Sequence, residues 1–126
     1  MINLTLEQLL ELHALVIEAS GGSGGLRDLG RLESAIATQT QNVFGEELYP
    51  DVVDKAAAVI RGIIADHPFV DGNKRTAILS GLALLESNGI NFTSSPGEIE
   101  NFAVEVATNH TDVPEICSWL RRHINK

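Results

Sequence analysis

The chain has 126 residues, 44% of them hydrophobic, which suits a single domain (1–126) able to bury roughly two thirds of its unfolded surface. A net charge of -8 and a pI near 4.8 oppose general binding to phosphate backbones and anionic lipid head groups. No apolar run approaches the roughly 20 residues of a membrane span, and residues 1–10 lack the basic-then-apolar pattern of a targeting signal, so a cytoplasmic location is expected.

In chain order, Thr5 and Gln8 form a capping-box signature, and Leu6, Leu9, Leu10, Leu12, Val16 and Ile17 follow at helical spacing as far as Ser20. The run Gly21-Gly22-Ser23-Gly24-Gly25 reads as a mobile loop within one fold, because the flanking pieces are too short for separate domains. It lacks the preceding strand and the Gly-Lys-Ser/Thr ending of a phosphate-binding glycine loop. Asp28 can cap a helix through about Gln39, with Leu32, Ala35 and Ile36 on one face. Residues 42–50 mix Gly45, Pro50 and acidic residues with Val43, Phe44, Leu48 and Tyr49, which predicts an irregular or hairpin-like loop.

From Asp51 the spacing of Val53, Ala57, Ile60 and Ile64 predicts a helix that stops before Pro68 and so delivers the chain to His67. Residues 76–85 are apolar almost all the way round, with Ser80 and Gly81 small enough for close approach, and the run ends at Asn88-Gly89. That pattern predicts a buried central helix. Ser95, Pro96 and Glu98 supply an N-cap, a first-turn proline and a capping-box partner for a helix to about Asn109. Asp112 and Pro114 open a last helix through Trp119 to Ile124, and only residues 90–93 look extended. The expected fold class is therefore all-α: a helical bundle with a central buried helix preceded by a loop.

Cys117 has no second cysteine for a disulfide or metal cluster and reads as a small apolar residue. His13, His110 and His123 lie without metal-ligand spacing, which favours core or surface roles, and Trp119 is expected to pack or to meet a partner.

The informative segment is His67-Pro68-Phe69-Val70-Asp71-Gly72-Asn73-Lys74-Arg75, set between two apolar helices. Gly72 can adopt backbone angles closed to other residues, and Asn73 is a natural N-cap, so the free N–H groups of the next helix should face outward and bind an anion. Lys74 and Arg75 fall in that first turn, where the helix dipole disfavours cations by a few tenths to about 1 kcal/mol. A polyphosphate at the terminus removes the conflict, because N–H groups, ammonium and guanidinium can converge on its oxygens. Asp71 is a hard oxygen ligand suited to Mg²⁺, and His67 can act as general base toward an attacking hydroxyl. Phe69 and Val70 read as anchors for the loop. Each of these residues alone has an ordinary turn or surface reading; their order and density point to a site.

At these residues the chain resembles the Fic/Doc family, whose motif runs His-x-Phe-x-Asp/Glu-Gly/Ala-Asn-Gly/Lys-Arg; residues 67–77 match without a gap. Leu12-His13, Gly21-Gly22, Gly25-Leu26-Arg27-Asp28, Gly30 and Leu32-Glu33-Ser34-Ala35 extend the likeness to the Doc (death on curing) branch. The resemblance implies transfer of part of ATP to a protein hydroxyl, with His67 as base, Asp71 on Mg²⁺, and Gly72, Asn73 and Arg75 around the phosphates. Lys74, and Ile78 where Fic enzymes carry a second arginine, imply the Doc reaction: a kinase placing the γ-phosphate on a threonine of elongation factor Tu, as the toxin of a toxin-antitoxin pair restrained by a Phd-like antitoxin. Gly72 is the Fic-like choice, since the Doc toxin carries alanine there. A Fic-type AMP transferase and an inactive binding protein on the same fold are the alternative readings. The family's inhibitory Ser/Thr-x-x-x-Glu-Gly/Asn segment is absent, because Pro96 stands four residues before Glu100. The loop 42–49 is expected, from position alone, to be the flap that aligns a target chain.

Overall fold

The structure, a computed structural model, describes residues 1–95 and 97–125, the last by its backbone. Six helices carry the fold: α1 (Leu6–Ser20), α2 (Leu29–Ala37), α3 (Val52–Asp66), α4 (Asn73–Ser87), α5 (Glu98–Asn109) and α6 (Val113–Arg122). Two minimal antiparallel pairs accompany them, β1 (Asn42–Val43) with β2 (Glu46–Glu47) and β3 (Asn91–Phe92) with β4 (Ile124–Asn125). The all-α expectation holds. No described helix is long and apolar enough to cross a membrane.

The helix boundaries follow local chemistry. Thr5 Oγ1 accepts from Gln8 N at 3.1 Å while Gln8 Oε1 accepts from Thr5 N at 2.9 Å, and Gly21 closes α1 at φ 74°. Asp28, Asp51 and Asp112 cap α2, α3 and α6 through their carboxylates. The α2 run ends two residues before Gln39, with a 3₁₀ turn over Thr38–Thr40 taking its place. The amide of Gln39, buried there, bonds Leu4 N at 2.7 Å and Leu4 O at 3.0 Å. Helix α5 begins at Glu98 with Gly97 at its N-cap, later than the Ser95 cap expected; Ser95 N instead donates to Glu98 Oε1 at 2.6 Å. The expected first-turn Pro96 lies outside the described residues. Ile124 falls in β4, beyond the end of α6.

Helices α3 and α4 form the centre and pack most extensively on each other, with α2 and α6 against α3 and α1 and α5 against α4. Val59, Ile60, Ile63, Ile78, Leu84 and Leu85 are fully buried, each contributing about 1.5–3 kcal/mol by removal from water. Gly81 permits the approach: a methyl group there would lie 2.4 Å from Ile60 Cδ1. Lys55, on this otherwise apolar helix, is also buried, its ammonium donating to Gln39 O and to Glu47 Oε1. This core fixes the end of α3 against the start of α4, and the polar loop lies between them.

Candidate active site

His67 terminates α3 in the left-handed region at φ 47°, its N–H donating to Ile63 O at 3.1 Å. Pro68 then forces the chain out of helical geometry, and Phe69 turns into the core at 1% exposure. The side chain of Asn73 accepts from Phe69 N and donates to Phe69 O, both at 2.9 Å. This corrects the N-cap assignment. Asn73 is the first residue of α4 with its amide buried under the loop, whereas Gly72 is the N-cap, at φ 77° and without a side-chain cap. A side-chain amide both donates and accepts, which is what the inward-facing N–H and C=O of a single buried residue require.

Val70 is 58% exposed, so of the two expected anchors only Phe69 serves as one. The second anchor is His13, for which the sequence indicates a core or surface role but no place in the site. Its ring stacks on Phe69 at 3.7 Å with 6° between planes, and its Nε2–H donates to Asp71 O at 2.8 Å. The available signal was its spacing, since His13 lies four residues from Leu9 and three from Val16 on the inward face of α1.

The glycine run is pinned to the loop, contrary to the mobile-loop expectation. Val70 N donates to Gly25 O at 2.9 Å, Ser23 N to Asp71 Oδ2 at 3.3 Å, and Leu26 pairs with Phe69 as an isolated bridge. The approach is close enough that a side chain would displace its neighbour: a Cβ on Gly22 would sit 2.5 Å from Asp71 Oδ2, and one on Gly25 3.0 Å from Val70 Cγ2.

His67, Val70, Asp71, Gly72, Asn73, Lys74 and Arg75 line one open pocket of about 350 Å³. The structure thus brings together every residue proposed from sequence for catalysis, phosphate and metal. Within the pocket the backbone N–H groups of Asn73, Lys74 and Arg75 have no hydrogen-bond partner among the described residues. Asp71 Oδ1 accepts from Gly72 N at 2.9 Å, which turns its exposed carboxylate toward the same helix start. Each Asp71 oxygen accepts one N–H and keeps a further lone pair, so the carboxylate fits a Mg²⁺ that takes most of its oxygens from phosphates and water.

Lys74 is exposed and unpaired among the described residues. Arg75 is not: its guanidinium forms an ion pair with Glu100 of α5. Ile99, Ala103 and Val104 join these three residues around an adjoining apolar hollow of about 170 Å³. The inhibitory sequence pattern is absent, yet tertiary structure still sets a glutamate against the arginine. The sequence sets Glu100 aside because Pro96 breaks the inhibitory pattern, and its partner Arg75 lies 25 positions away, so local pattern does not disclose the pair.

The hairpin 42–47 does not have the placement expected of a flap. It is tied to Lys55 and, through Gln39, to Leu4, at the ends of α3 and α1 remote from the loop. Eleven residues of α3 separate Lys55 from His67, and the twelve steps between them rise about 18 Å at 1.5 Å per residue.

An all-helical core holding a His-Asp-Gly-Asn-Lys-Arg loop against the free N-terminus of its central helix defines the class of protein. The sequence pattern of the Fic/DOC family matches residues 3–85, and the chain belongs to that family. It is similar to "Toxin Doc" of Mycolicibacterium smegmatis, at 36% identity over 104 residues, 81% of this chain and 80% of that protein. It is also similar to "Protein kinase doc" of Escherichia phage P1, at 35% identity over 116 residues, 92% of this chain and 90% of that protein.

Proposed function

We propose that this chain is a Doc-like toxin that transfers the γ-phosphate of ATP to a serine or threonine hydroxyl of a translation factor, elongation factor Tu by resemblance. The observation that carries the reading is the 350 Å³ pocket, lined by a histidine, a carboxylate, two basic residues and a helix start with three free N–H groups. The relatives named as a toxin and as a protein kinase support it.

In this mechanism the N–H groups of residues 73–75, with Lys74 and Arg75, bind the triphosphate and stabilise charge on the transferring group. Mg²⁺, held by Asp71, would neutralise phosphate charge. His67 takes the proton of the acceptor hydroxyl as its oxygen bonds to the γ-phosphorus. The bond from that phosphorus to the β–γ bridging oxygen breaks, and ADP leaves with the electron pair. In the cell a separate Phd-like antitoxin would restrain the protein. Gly72 favours a second reading, AMP transfer, because glycine is the residue of AMP-transferring relatives at this position. ATP labelled at the γ or the α position decides: label on the target from γ supports the kinase, and label from α supports AMP transfer. Growth arrest on expression should vanish in His67→Ala, and persistent arrest would contradict a catalytic histidine.

A further inference from the structure

We infer that Arg27 is a positioning residue: its guanidinium clamps the backbone carbonyls at the end of α3, so that His67 presents its imidazole to the pocket in one orientation. The inference rests on His67 being the base proposed above. Three facts lead to it.

The left-handed backbone of His67 is uncommon for a residue with a side chain, and such conformations persist only where the surroundings over-determine them. The C-terminus of α3 has no basic residue in its last turn to meet its free carbonyls. Those carbonyls are met instead from the segment 27–31. Arg27 Nε donates to His67 O at 2.8 Å and its Nη2 to Asp66 O at 3.0 Å. Arg27 N and Asp28 N donate to Pro68 O at 2.7 and 3.0 Å. Arg31 Nη1 also reaches Asp66 O, at 2.9 Å, but forms no bond to His67.

The planar fork of Arg27 spans two successive carbonyls on either side of the His67 backbone, which a lysine ammonium cannot reproduce. With the peptide plane after His67 held, the direction of its Cα–Cβ bond is set. Without the clamp the residue can relax toward the extended geometry that Pro68 favours in the residue before it, and the ring swings away from the acceptor.

The test compares Arg27→Ala, Arg27→Lys and Arg31→Ala with the wild-type chain. Arg27→Ala should lower kcat roughly ten- to a hundredfold with nucleotide affinity unchanged, the scale of an ångström misplacement. Arg27→Lys should not restore the rate, and Arg31→Ala should retain it. In parallel, the backbone chemical shifts of His67 by NMR should leave left-handed values in Arg27→Ala and stay there in Arg31→Ala. Wild-type kcat in a folded Arg27→Lys protein, or His67 shifts unmoved in Arg27→Ala, would overturn the assignment. If Arg27→Ala does not fold, Arg27→Lys and Arg27→Gln are read by the same two criteria. A wild-type chain that transfers no label sinks the proposed reaction instead, and the His67 shifts still decide whether Arg27 sets that backbone.

Discussion

The amide of Asn73 holds the pocket loop, and its removal has a calculable consequence. In Asn73→Ala both the N–H and the C=O of buried Phe69 lose their partner, two bonds of 2.9 Å. Each buried orphan costs about 1–3 kcal/mol, so the variant should lose about 2–6 kcal/mol, against roughly 1 kcal/mol for an ordinary N-cap. For a domain of this size that is a fall in Tm of about 6–24 °C. Asn73→Asp separates the two bonds: the carboxylate still accepts from Phe69 N but opposes Phe69 O. It should therefore be destabilised at neutral pH and regain stability as pH falls through the carboxylate range, near 4, where the protonated acid can donate. Thermal unfolding by circular dichroism at pH 7 and pH 4 measures both. An Asn73→Ala protein within about 0.5 kcal/mol of wild type would refute the claim that this side chain holds the loop.

On the proposed function, the ion pair of Glu100 with Arg75 would compete with an incoming phosphate. Surface pairs contribute about 0.2–1 kcal/mol, so Glu100→Gln should bind ATP up to about fivefold more tightly by calorimetry; weaker binding would show that Glu100 supports the site. His123 donates to Trp119 O at 2.8 Å and to Glu98 Oε2 at 2.7 Å, and these bonds, in that order, raise its pKa above 6.5. Its contribution to stability is thus present below pH 6.5 and lost as pH rises through the raised value. Tm should decline across that interval in wild type and not in His123→Gln. The Glu98 carboxyl is lowered to about 2, chiefly by the Ser95 hydroxyl, then by Ser95 N–H and His123. Its contribution is present above pH 4.5 and lost toward pH 2, so Glu98→Gln should flatten the acid limb of the same curve.

Sequence by itself determined the helical class, most helix starts and the composition of the site, because those are local matters. Caps bond within three residues, apolar spacing declares a helix face, and the nine residues from His67 to Arg75 are contiguous, so the pocket lining could be read directly. The tertiary structure decided what each residue does there. Asn73 looked like a cap because asparagine caps helices; only the inward turn of Phe69 shows that its amide completes a buried peptide. His13, Arg27, Glu100 and the glycines at 22 and 25 reach the loop from other elements, across separations that local pattern does not encode. Burial of an amide, the pairing of a guanidinium with a glutamate and the hold on a left-handed histidine depend on which groups packing brings within hydrogen-bond distance.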